Sequence, residues 1–110
     1  MSVENGTDLR VVLCTCPPDQ ATVIAHALLE QRLAACVNVI PGVRSMYWWN
    51  DEIAEDGESL LVIKTPQSAF VTLEARLAEI HPYDVPEILS LSVDEGADTY
   101  LSWVRESVAC

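Results

Sequence analysis

Basic residues are scarce in this sequence. Six lysines and arginines stand against 17 aspartates and glutamates, which gives a net charge of −11 and an isoelectric point of about 4.2. Binding to DNA or RNA gains free energy when a basic surface releases counterions, and adsorption to anionic lipid needs the same positive charge. We therefore expect neither nucleic acid nor a membrane as a partner, and we interpret most of the acidic side chains as solvated surface.

Long hydrophobic runs are missing as well. Runs such as Val11 to Cys14 and Leu60 to Ile63 are far too short to span a bilayer. The segment from Met1 to Arg10 has no basic start followed by an apolar stretch, so it lacks the pattern of a secretory signal. These features predict a cytoplasmic protein in which residues 1–8 form a flexible tail.

Nothing rich in glycine, serine or charge divides the chain into parts. The 110 residues suit one domain, residues 1–110, and half of them are hydrophobic, so a core can form. A domain of this size buries only about 60–68% of the surface that its unfolded chain exposes, so association with other copies would add stability. Four cysteines in a cytosolic chain with such a core predict reduced thiols rather than disulfides.

Hydrophobic periodicity predicts alternating strands and helices. In chain order they are a strand over 9–16, a helix over 18–34, a strand over 36–49 bent at Pro41-Gly42, a turn at Asn50-Asp51, a strand over 58–65, a helix from 67 to the His81-Pro82 boundary, a strand over 88–93 and a helix over 98–108. The order βαββαβ followed by a helix predicts an α/β (α+β) fold, a ferredoxin-like two-layer sandwich with a long hairpin and an extra C-terminal helix.

In such a sandwich both central helices cover one face of the antiparallel sheet, which leaves the other face open. The hairpin carries Tyr47, Trp48 and Trp49, and neither of its faces is purely polar. One chain of this length cannot cover these aromatic side chains, so we expect them at an interface between subunits. Contact with a ligand is the alternative role for them.

No sequence motif indicates catalysis. The chain has no nucleophile paired with a base, no P-loop and no dinucleotide fingerprint, so we do not expect an enzyme. Lys64, Tyr83 and Glu87 lie at strand ends and in the loop after the second long helix. If an intersubunit cleft brings them together, Lys64 would hold a small anion there. An ion pair between Lys64 and Glu87 across the interface between subunits is the structural alternative.

Several strings of residues resemble the CutA family from about Leu9 to Val104. They are Leu13-Cys14-Thr15, the LAACVN string over 33–38, the SMYWW string over 45–49, Lys64-Thr65, the HPYDVPE string over 81–87 and Tyr100-Leu101-Ser102-Trp103. The resemblance implies a ferredoxin-like subunit whose long hairpin helps to join three copies into a homotrimer, similar to the PII-like signalling trimers. It also implies a role in tolerance of divalent cations, copper above all.

The resemblance implies a possible metal site at Cys14 and His81, with Cys16 as an additional candidate ligand. Thiolate and imidazole suit copper and zinc, but Ile80 stands where some members carry a second histidine, so we expect any copper or other divalent cation to be weakly held and none to be required. The alternatives are small buried side chains for the two cysteines and, for His81, a histidine that orients the turn before Pro82. Other functions that the resemblance allows are PII-like signalling or small-ligand binding, and a scaffold for partner proteins.

Overall fold

A computed structural model describes residues 3–5 and 7–108, with side chains from Thr7 onward. The elements are β1 (Val3–Asn5), β2 (Leu9–Cys16), α1 (Ala21–Glu30), β3 (Cys36–Trp49), β4 (Glu52–Pro66), α2 (Phe70–Ile80), β5 (Leu89–Ser92), β6 (Glu95–Ala97) and α3 (Asp98–Val108). Single 3-10 turns at Pro18–Gln20 and Gln67–Ala69 precede α1 and α2. Among these residues no helix is both long enough and apolar enough to cross a membrane.

The main sheet has four antiparallel strands in the order β3-β4-β2-β5. With α1 and α2 packed on one face, this arrangement confirms the predicted ferredoxin-like sandwich. Side chains at alternate positions of β2 and β4 point to the helices because successive residues of a strand face opposite sides. The core between sheet and helices contains Val12, Cys14, Cys16, Leu61, Ile63, Ile24, Leu28, Leu73 and Leu77, all at most 1% exposed.

The second face of the sheet is covered only at one end. There Leu9 packs with Leu101 and Val104 of α3 in a separate small core, a cover that the sequence did not predict. The rest of this face stays open, as predicted: Leu89 and Leu91 are 53% and 49% exposed. Beyond the sheet body the β3–β4 hairpin extends with Trp48 74% exposed.

The hairpin is longer than predicted, because β4 begins at Glu52 and not at Glu58. Strand pairing continues along the acidic segment, from Val43 opposite Glu58 to Trp49 opposite Glu52. Acidic residues have low intrinsic preference for strands, but cross-strand contacts outweigh that preference here. The predicted bend is confirmed: the register shifts between Ile40 and Val43, and Gly42 has φ of 77°.

Helix α1 ends at Glu30, four residues before the predicted end at Ala34. Arg32 adopts a left-handed conformation, with φ of 58°. Its N–H donates to the Leu29 carbonyl at 3.1 Å, and the N–H of Leu33 donates to the Leu28 carbonyl at 3.0 Å. This pair of bonds is a Schellman motif, which satisfies the last helical carbonyls and turns the chain toward β3. The left-handed residue is arginine rather than glycine, so the sequence carried no stop signal.

The N-terminal strand β1 pairs antiparallel with β6, Val3 opposite Ala97 and Asn5 opposite Glu95. The sequence predicted neither strand. Residues 1, 2 and 6 lie outside the described residues, so the expected flexibility over 1–8 stays a prediction. Within that segment the three paired residues form a strand.

The predicted turn at Asn50-Asp51 is confirmed, and both of its residues have positive φ, 51° and 62°. A two-residue hairpin turn of this kind favours glycine at its second position. We expect Asp51→Gly to raise the free energy of unfolding by about 0.5 kcal/mol and Asp51→Val to lower it by about 1 kcal/mol, because a β-branched side chain is strained there. Both variants remove the same charge. Chemical denaturation of the pair would contradict this if Asp51→Val were the more stable protein.

Candidate functional site

The two cysteines of β2 are fully buried. Cys14 and Cys16 point from the sheet toward the helices, with 0% of each side chain exposed. Burial, followed by the nearby Cys16, Glu87 and Glu58, raises the pKa of the Cys14 thiol from 9.0 to about 12. The pKa of Cys16 is raised in the same way, first by burial and then by Glu58 and Asp19. Both thiols, with Cys36, are free.

The raised pKa of Cys14 has a defined effect on stability. Folding favours the neutral thiol, so this contribution to the free energy of unfolding is complete below pH 9 and is lost as the pH rises from about 9 toward 12. The thiolate is the form that binds metals and reacts with electrophiles. Metal binding at Cys14 therefore requires displacement of a proton.

The imidazole of His81 lies against the same strand and is 6% exposed. Its Nε2 is 2.8 Å from the carbonyl oxygen of Thr15, the residue between the two cysteines. The N–H of Tyr83 donates to Nδ1 at 3.1 Å, so Nδ1 is the acceptor and Nε2 carries the proton. His81 thus ties the chain after α2 to β2, and a metal bound at either nitrogen would replace one of these hydrogen bonds.

These residues fit a metal only as a weak contact. The types are right for a soft ion, but both ring nitrogens are engaged and the thiols are protonated. Over residues 7–108, no three side chains of His, Cys, Asp or Glu come together in a way that would hold an ion. Residues 7–108 of the chain therefore do not form a closed site of the structural zinc kind, with four converging ligands.

We expect the thiols to differ strongly in reactivity. At pH 8 a pKa of about 12 leaves roughly one Cys14 side chain in ten thousand as thiolate. Cys36 is partly exposed on β3. Iodoacetamide should therefore modify Cys36 at least about tenfold faster than Cys14 or Cys16, as measured by peptide mass spectrometry. The rate at Cys14 should rise with pH across the range 8–10. Equal rates at Cys14 and Cys36 would contradict the buried placement of Cys14.

A groove of about 870 Å³ lies between the hairpin and the loop after α2. The loop contributes Tyr83, Asp84, Val85 and Glu87, and β2 contributes Thr15. The hairpin contributes Arg44, Ser45, Met46, Tyr47, Trp49, Asp56 and Glu58. The volume of the groove is within the range of small-molecule sites in proteins. Of the residues predicted for a ligand cleft, Tyr83 and Glu87 meet here, together with Tyr47 and Trp49.

Two tyrosine–carboxylate hydrogen bonds line this groove. The hydroxyl of Tyr83 donates to Glu58 at 2.9 Å, and the hydroxyl of Tyr47 donates to Asp56. Burial, the hydrogen bond to Glu58 and the charges of Glu58 and Asp56 raise the pKa of Tyr83. Glu58 is only 6% exposed. From the sequence most acidic side chains are interpreted as solvated surface, but the position of Glu58 two residues before the apolar run Leu60 to Ile63 was a signal of burial.

Lys64 is not among the residues that line the groove in the described part of the chain. Its ammonium group donates to the side-chain oxygen of Asn38 on the neighbouring strand. Register places Lys64 opposite Val11 and Cys36 on the second face of the sheet. The ion pair with Glu87 was suggested across an interface between subunits, and it stays a prediction.

Comparison with known proteins assigns the family. The sequence profile of the CutA1 divalent ion tolerance proteins matches residues 10–107. The chain belongs to the CutA1 family. The divalent-cation tolerance protein CutA of Thermus thermophilus is 51% identical over 89% of this chain and 96% of its own length. The CutA of Pectobacterium atrosepticum is 43% identical over 92% of this chain and 93% of its own length.

Solved CutA structures share the fold. The structure of the Thermus thermophilus protein has a TM-score of 0.88 at 50% identity and covers 90% of this chain and 97% of that chain. CutA from Synechococcus elongatus has a TM-score of 0.93 at 34% identity and covers 98% of this chain and 96% of that chain. A CutA structure from Archaeoglobus fulgidus, which is described as periplasmic, is 31% identical with a TM-score of 0.89. It covers 92% of this chain and 99% of that chain.

Proposed function

We propose that this CutA protein is a homotrimer of the cytoplasm that takes part in the response to divalent cations through binding and not through catalysis. Support for the association comes from the uncovered part of the sheet, where Leu89 and Leu91 are about half exposed, and from Trp48 of the hairpin, which is 74% exposed and does not line the groove. Contiguous apolar surface of this kind is typical of subunit interfaces. Sedimentation equilibrium that gave a monomer of 12.1 kDa at micromolar concentration would contradict the trimer.

The proposed metal contact is a weak one to copper through Cys14 and His81, with Cys16 as a third candidate. The observation that carries it is the 2.8 Å contact of the His81 ring with the Thr15 carbonyl, which brings the imidazole beside the strand of both thiols. Binding would displace a thiol proton and one hydrogen bond of His81. The affinity should therefore be low and should increase with pH.

A copper titration of the reduced protein tests this contact. We expect Cys14→Ser and His81→Ala to weaken binding at least about tenfold, since each removes one of two principal ligands. Cys36→Ser is the matched control, because it removes a thiol from the opposite side of the sheet, and it should leave the isotherm unchanged. An isotherm that is the same for Cys14→Ser, His81→Ala and the parent protein would overturn the copper proposal.

A second candidate function is small-ligand binding of the PII-like kind, which the groove at Tyr83 and Glu87 favours. The earlier expectation of an anion at Lys64 is tested by thermal denaturation with inorganic phosphate. Stabilisation by phosphate that is lost in Lys64→Ala would support an anion site. If phosphate stabilises neither the parent protein nor Lys64→Ala, an anion site at Lys64 is contradicted.

A further inference from the structure

The charges that line the groove are almost all negative. Four carboxylates face it: Asp56 and Glu58 from the hairpin, and Asp84 and Glu87 from the loop. The one basic side chain in the lining, Arg44, is paired with Glu55 through two hydrogen bonds of 2.9 and 2.8 Å. The potential in a cleft with like charges on both walls is enhanced, because the protein around it has a low dielectric constant. A cation is therefore the ligand that this groove attracts.

The hydrogen-bonding groups of the groove point to the same ligand. The phenol protons of Tyr47 and Tyr83 are both donated to carboxylates, so what these pairs offer to a ligand is oxygen lone pairs. Glu58 is a buried carboxylate whose hydrogen bond comes from a neutral hydroxyl, and no basic side chain among residues 7–108 pairs with it. A buried carboxylate without a cation is costly. A positively charged donor would complete this arrangement.

Size and aromatic content distinguish between kinds of cation. A bare metal ion needs several ligands converging within a few ångströms, and the described residues contain no such group. The groove instead has a volume of about 870 Å³ and includes the rings of Tyr47, Trp49 and Tyr83. Aromatic faces bind ammonium groups through cation–π attraction and pack against apolar bodies.

We propose that the groove of this CutA protein binds an organic ammonium ion with an apolar or aromatic body. Its ammonium group contacts Glu58 and the facing carboxylate Glu87, and its body lies against Tyr47, Trp49 and Tyr83. This inference rests on the small-ligand function and reverses the sign of the ligand expected from Lys64. It is independent of copper, because it uses neither Cys14 nor His81.

Calorimetric titration of the full chain tests the proposal. The protein is used in the oligomeric state that it adopts in solution, in 150 mM salt with EDTA. The probe is 2-phenylethylammonium, and its matched controls are 2-phenylethanol and phenylacetate, which keep the ring but are neutral or negative. We expect the ammonium to bind at least about tenfold more tightly than the alcohol, and phenylacetate to bind least, because hydrogen bonds to a buried charge are strong. Equal binding of ammonium and alcohol, or no binding of either, would overturn it.

Variants locate the site. Glu58→Gln removes the charge while its amide oxygen still accepts from Tyr83, and it should weaken the ammonium at least about tenfold. Glu74→Gln removes the same charge from the exposed side of α2 and should have no effect. Glu87→Gln, on the exposed loop, replaces Glu58→Gln if that variant does not fold. If Glu74→Gln lowers the affinity for the ammonium as much as the groove variants do, the proposal is contradicted. If 2-phenylethylammonium does not bind but phosphate binds and requires Lys64, the ammonium proposal is wrong and the small-ligand function is still supported.

Discussion

Leu77→Ala should lower the free energy of unfolding by about 2–5 kcal/mol, one of the two largest effects that we expect of a single substitution. Leu77 lies in the middle of α2 with none of its side chain exposed, and it packs into the core between α2, α1 and the sheet. Truncation removes apolar contact and leaves a cavity that the surrounding strands cannot close. For a domain with a total stability of about 5–15 kcal/mol, that loss is severe.

Val71→Ala is the matched control for this prediction, since Val71 is on the same helix but 75% exposed. Its effect should be within about 0.5 kcal/mol. Both variants are compared with the parent by chemical denaturation at one protein concentration, because association contributes to the stability of an oligomer. Similar losses in the two variants would mean that Leu77 is not a core residue.

Leu89→Glu should dissociate the proposed trimer. Leu89 lies on β5, opposite Leu13 on the face of the sheet that the single chain leaves uncovered, and it is 53% exposed. Glutamate at this place is tolerated in a free subunit, because water reaches it. At an apolar interface it becomes a buried charge without a partner, which costs roughly 3–5 kcal/mol for each copy. Three copies would carry this cost in every trimer.

Sedimentation velocity at micromolar concentration measures the result. The parent should sediment as three copies of the 12.1 kDa chain, and Leu89→Glu as one copy with an unchanged circular-dichroism spectrum. Val71→Glu adds the same charge on the exposed side of α2, where the helix and the sheet separate it from the uncovered face, and should remain trimeric. If Leu89→Glu sediments like the parent, the uncovered face is not the subunit interface.

Where local chemistry determines the backbone, the sequence prediction is confirmed. Pro82 excludes the preceding residue from helical conformation, and α2 ends at Ile80. The bounds predicted for α3, Asp98 and Val108, are those observed. The turn at Asn50-Asp51 has side chains that tolerate positive φ, and it forms where predicted. Each of these signals lies within a few residues of the structure that it specifies.

The wrong predictions concern places where distant contacts decide. Helix α1 ends early because Arg32 takes a left-handed conformation, which its residue type does not announce. Strand β4 starts early because β3 pairs with its acidic residues. Within the chain, Lys64 contacts Asn38, 26 positions away, a partner that the sequence did not indicate. Such pairs follow from strand register, and register depends on the packing of the whole sheet.

The sequence by itself determined the order of the main-sheet strands and the three α-helices, the family, and which residues have the chemistry to bind an ion. Hydrophobic period and turn residues act locally, so they can be interpreted without coordinates. Only the tertiary structure showed that Cys14 and Cys16 are buried as protonated thiols and that both nitrogens of His81 are engaged. It also showed that a hydrogen bond from Tyr83 to Glu58 joins the two walls of an acidic groove. Burial and pairing decide whether a reactive side chain is available, and both arise from residues that are remote in sequence.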